Sequence, residues 1–122
     1  MNEERDILIV GYDEPSIGIL KGIINRVLVN VTIHINKLEK EKDPEIIIYE
    51  LLPPRSFLTG YCRDDMLEVL RMKEFKESNP ESKLIILANF PGDAIARLVE
   101  SDYILEKPDF TKEFVDFLKQ IA

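Results

Sequence analysis

Apolar residues in this chain gather in short unbroken runs, separated by segments in which they recur at helical spacing. Ile46, Ile47, Ile48 and Tyr49 form one such run, flanked by Pro44 and by Pro53-Pro54. A β-branched and aromatic run without polar alternation suits a strand buried on both faces, as in a parallel sheet covered by helices. The run ends on Glu50, and the prolines after it cannot continue a ladder, so the carboxylate belongs where strand gives way to loop. Ligands gather at that edge of an open α/β sheet.

The remaining elements follow in order. Asp6 to Val10 predicts a first internal strand, and Asp13-Glu14-Pro15 a helix start, with Asp13 as N-cap and proline in the first turn. Ile17, Leu20, Ile24, Val27 and Leu28 carry the helix from Glu14 to about Val29. Gly18 and Gly22 share one face, read as close packing of helix on sheet. A second strand is placed at Val31 to Ile35. Asn36 to Asp43 leaves room for two helical turns at most before the central strand.

Beyond Glu50 a loop runs to Arg63, longer than the few residues usual for a βα connection. Asp64 or Asp65 then caps a helix to about Lys76, with Met66, Leu67, Val69, Leu70 and Phe75 inward. Ser78 to Ser82 is a turn, Lys83 to Leu87 a fourth strand ending at Ala88-Asn89, and Pro91 to about Glu100 a short helix. Tyr103 to Leu105 is a fifth strand. Thr111 to Ile121 is the last helix, its stripe made by Phe114, Phe117, Leu118 and Ile121. Five alternations of strand and helix imply parallel strands with right-handed crossovers, in a three-layer α/β sandwich formed by one domain over residues 1–122.

Composition narrows the function. The 122 residues hold 16 Lys and Arg against 23 Asp and Glu, a net charge of -7, which argues against binding nucleic acid or an anionic membrane surface. No apolar run approaches the roughly 20 residues of a membrane span, and M-N-E-E-R-D resembles no signal peptide. Cys62 is the only cysteine, which excludes an internal disulfide or thiolate zinc site and fits a reducing, cytoplasmic setting; the thiol is read as inert. His34 is the only histidine, so His-based metal sites and triads are excluded, and a surface strand position is expected for it. The Lys37 to Lys42 charge run reads as a solvated face. G-x-x-x-x-G-K-[ST], G-x-G-x-x-G and H-E-x-x-H are all absent from the sequence.

I-L-I-V followed by D-E-P, an acid four positions before Pro54, and Lys107-Pro108 after the last strand occur in the order and spacing of a response-regulator receiver domain. Nearly the whole chain resembles that family. The resemblance implies a CheY-like, flavodoxin-like (βα)5 fold, with a five-stranded parallel sheet in order 2-1-3-4-5. In that family an acid pair after the first strand and an aspartate ending the third hold magnesium. The aspartate accepts the phosphoryl group, while a hydroxyl after the fourth strand and a lysine after the fifth contact its oxygens. Such chemistry needs hard oxygen ligands and charge stabilisation.

Carried over, the set is incomplete. Anchored on Glu14-Pro15, with Gly11 as an extra residue, the acid pair becomes Tyr12-Asp13. Glu50 stands at the phosphoacceptor position, one methylene too long for in-line attack. Ala88 stands at the hydroxyl position, Tyr103 or Ile104 at the aromatic switch position, and Lys107 matches. The resemblance thus implies a degenerate, non-enzymatic receiver that signals by protein contact without phosphorylation. Its partner, a signalling protein or kinase, would meet the face of residues 94–121, and a homodimer is compatible with this. Asp13, Glu14 and Glu50 form the expected acidic pocket, with Glu50 paired to Lys107 and no metal or other cofactor. A bland account has Asp13 as a helix cap and Lys107 solvated. The alternative is residual magnesium-dependent phosphoacceptance, with Asp13 and Glu50 as the ligands.

Overall fold

The computed structural model describes residues 5–11, 13–37, 43–50, 63–88, 101–106 and 110–121. Within them five strands form one sheet: β1 (Arg5–Val10), β2 (Val31–Ile35), β3 (Ile46–Glu50), β4 (Lys83–Ala88) and β5 (Tyr103–Glu106). Their order is β2-β1-β3-β4-β5, and every neighbouring pair is parallel. The helices α1 (Glu14–Val27), α2 (Arg63–Ser78) and α3 (Thr111–Ile121) complete the described elements. The short helices expected within 36–43 and 91–100 lie largely outside the described residues.

The unbroken apolar runs form the interior strands because both faces of those strands are covered. Ile7, Ile9, Ile46, Ile48, Ile85 and Leu87 point to one side, where Leu20, Ile23 and Ile24 of α1 and Phe114, Phe117 and Leu118 of α3 close over them. Leu8, Ile47, Tyr49, Leu84, Ile86 and Ala88 point to the other side, against Met72 and Phe75 of α2. The Tyr49 and Phe75 rings meet edge on, 6.1 Å between centroids. This is a three-layer sandwich. At the amino-terminal end of the sheet the Glu45 N–H donates to Asp6 O (2.8 Å) and the Lys83 N–H to Glu45 O (3.0 Å), which fixes β3 between its neighbours.

Five details depart from the sequence-based expectation. Helix α2 begins at Arg63, so Asp64 and Asp65 lie within it and neither is its cap. Helix α1 stops at Val27, with Leu28 already extended (φ -105, ψ 147); Asn30 then adopts a left-handed conformation (φ 53) just before β2, and Val29 is exposed. Leu70 is exposed and Met72 is buried, since two residues of helix turn the side chain to the opposite flank. His34 is largely covered at the side chain, its Nε2 lying 3.0 Å from Asp6 Oδ1; both flank β1 and β2 on the α2 side of the sheet. Gly18 and Gly22 are exposed, with nothing within 4 Å of the place a Cβ would take, so they do not mediate helix packing on the sheet.

Candidate functional site

The carboxyl ends of β1, β3 and β4 bring Val10, Glu50 and Ala88 to one edge of the sheet. Side chains alternate along a strand, so Glu50 continues the face of Ile46 and Ile48, the face on which α1 begins. It is only 3% exposed. An ionised or neutral carboxyl so placed must be hydrogen-bonded, and its Oε1 accepts the Asp13 N–H at 3.0 Å. Gly11 lies directly against it: a Cβ there would be 3.0 Å from Glu50 Oε1 and 3.3 Å from Ile17 Cγ1.

Asp13 occupies the N-cap of α1, and its carbonyl starts the helix by accepting the Ile17 N–H (2.9 Å). Pro15 supplies no N–H in the first turn. The Asp13 carboxylate instead accepts the hydroxyl of buried Ser16 at 2.5 Å. Asp13 and Glu50 are therefore brought together through a main-chain amide. Glu14 is exposed and borders an open depression of about 480 Å³, shared with Gly11, Ile17, Lys21, Ile35 and Asn36.

Asn36 was not singled out by sequence reasoning. It sits just past β2 in a left-handed conformation (φ 60), and its side-chain amide both accepts the Gly11 N–H (2.8 Å) and donates to Gly11 O (3.0 Å). Asparagine after a strand is a general signal for such a turn, but nothing local indicated that its partner would be Gly11.

Ala88 is fully buried and contributes a methyl group to the cluster of Tyr49, Met72 and Ile86. Ile104 packs on that same cluster. Tyr103 faces the other way, 5.5 Å from the Phe117 ring of α3, so of the two candidates for the aromatic switch position Ile104 shares a face with Ala88. Tyr12, Cys62 and Lys107 lie outside the described residues. Among the described residues, no three His, Cys, Asp or Glu side chains gather at metal-binding range, and no helix is long and apolar enough to cross a membrane.

No protein-family model matches the sequence, and neither does any curated protein. Solved structures do match. A response regulator from Colwellia psychrerythraea superposes with a TM-score of 0.69 at 19% identity, over 98% of this chain and 97% of that one. A CheY-like receiver domain protein from Methanospirillum hungatei gives 0.65 at 14% identity, over 98% and 94%. A response regulator from Burkholderia pseudomallei, with a phosphorylated aspartic acid, gives 0.61 at 18%, over 94% and 66%. The fold is that of a response-regulator receiver domain. In this receiver fold the strand order and the placement of Glu50 at the end of β3 agree with the resemblance read from Pro44 to Pro54.

Proposed function

We propose that this chain is a degenerate receiver acting in the cytoplasm as a protein-interaction module of a two-component-type pathway, without phosphoryl transfer. The burial and engagement of Glu50 carry the reading. Attack on a phosphoryl donor requires the reacting atoms at about 3–3.5 Å and in line. Glu50 is 3% exposed, with Oε1 held by the Asp13 amide and seated against Gly11. The Burkholderia pseudomallei protein carries a phosphorylated aspartic acid, whereas this chain has glutamate at the position that the resemblance assigns to the acceptor.

Two further features support the same conclusion. Ala88 offers no hydroxyl to a phosphoryl oxygen, and Tyr12 stands where the resemblance asks for an acid of the metal-binding pair. Magnesium demands near-octahedral hard oxygen ligands, so a site that lacks one acid of the pair is a poor one. Signalling would then pass through the face of residues 94–121, whose described part is β5 and α3. A magnesium titration followed by tyrosine fluorescence tests the reading, because the chain has four tyrosines and no tryptophan. A flat response is expected. A saturable change abolished by Glu50→Gln would favour residual phosphoacceptance instead.

A further inference from the structure

We propose that Asn36 is the positioning residue for the buried carboxylate: its amide clamps Gly11 and thereby favours the placement of the Asp13 N–H on Glu50 Oε1. This deepens the proposed function, on which it rests for its biological meaning, by naming what holds the main chain beside Glu50.

The geometry is continuous from one strand end to the next. The register of β1 and β2 runs to Ile9 and Ile35, and the Asn36 N–H then donates to Ile9 O at 2.7 Å. One step further the ladder would need a donor and an acceptor opposite Gly11. The Asn36 side chain supplies both, at 2.8 and 3.0 Å, so a primary amide replaces a peptide group. Asparagine tolerates the left-handed backbone (φ 60) that turns its side chain to this use.

Gly11 is the right recipient because it has no side chain to separate the turn from Glu50; a Cβ would stand 3.0 Å from Oε1. Gly11 is held on one side by Asn36, and Asp13 is held on the other by the start of α1 with its N–H on a buried acceptor. That acceptor is Glu50. A two-point amide clamp restricts both translation and tilt of the Gly11 main chain, which a single hydrogen bond would not.

Asn36→Gly tests the clamp, since glycine keeps the left-handed backbone while removing the amide. Amide hydrogen exchange and the proton shift of the Asp13 N–H are read by NMR, with the Leu28 and Lys83 amides as reporters of α1 and of the far end of the sheet. The expected result is exchange at Asp13 about tenfold faster, with its proton moved upfield as in Glu50→Ala, and the two reporters unchanged. An unchanged Asp13 amide, or one that accelerates only in step with Leu28 and Lys83, would overturn the proposal. Should Asn36→Gly fail to fold, Asn36→Asp, which can accept from Gly11 but not donate to it, is expected to give the same displacement to a smaller extent; an unshifted Asp13 amide there is equally contrary. A phosphoryl adduct on the wild-type protein would sink the functional reading while leaving the clamp standing, so the two failures are distinguishable.

Discussion

The Glu50 carboxylate accepts a hydrogen bond from the main chain of Asp13, at 3.0 Å, while the carboxylate of Asp13 accepts the Ser16 hydroxyl. Two acids expected to face each other as ligands are thus joined as acceptor and amide donor. Glu50→Gln retains an acceptor of the same reach and should change stability by less than about 1 kcal/mol, whereas Glu50→Leu strands the Asp13 N–H and should cost about 1–3 kcal/mol. Urea denaturation midpoints for the two variants check this, and equal midpoints would deny the amide contact its role.

Gly11→Ala should destabilise, because the new methyl meets Glu50 Oε1 at 3.0 Å and Ile17 Cγ1 at 3.3 Å in a covered site. Overpacking of this kind costs about 1–3 kcal/mol. If Glu50 is the neighbour that must give way, the penalty shrinks in a Glu50→Ala background, and a double-mutant cycle will show a coupling of at least about 0.5 kcal/mol. Additive effects would place the clash on Ile17.

The exposed glycines of α1 predict the opposite sign. Gly18→Ala and Gly22→Ala each add a methyl group into open space in a helix, so each should stabilise by about 0.5–1 kcal/mol through lower unfolded-state entropy. Thermal melts of the single variants decide it, and a loss of stability would mean that the glycines pack after all.

At the opposite end of the sheet, Asp102 Oδ2 accepts the Leu84 N–H at 2.7 Å and lies 3.8 Å from Lys76 Nζ. The ion pair is substantially exposed and is worth about 0–1 kcal/mol. Asp102→Ala removes the acceptor for a β4 amide as well, and should therefore cost more than removal of the pair alone. The contribution of the pair is read from the salt dependence of the urea midpoint.

Strand positions were legible because buried parallel strands write themselves as unbroken apolar runs and the edge strand β2 as an alternation, and all five appear within a residue of their expected limits; their order followed from the family resemblance. The last helix matches at both ends, since its Phe114, Phe117, Leu118 stripe is strongly periodic. Less was legible in the site. Glu50 could be placed at the end of β3 from its prolines alone, but its partner could not. The Gly11–Asn36 contact joins residues 25 apart through a side-chain amide, and no local pattern encodes which main chain an asparagine will meet. His34 was misplaced for a related reason: a polar residue on an edge strand reads as solvent-facing, and only the register that sets it near Asp6 shows otherwise.

The most direct test of the central claim is intact-mass spectrometry of the purified protein after incubation with a small-molecule phosphodonor and magnesium. Positioning, metal and charge stabilisation act together in phosphoryl transfer, so repairing one departure leaves most of the loss in place. The account predicts an unchanged mass for the wild type and for Glu50→Asp alike. A mass increase of one phosphoryl group on the wild-type protein, lost in Glu50→Gln, would contradict it.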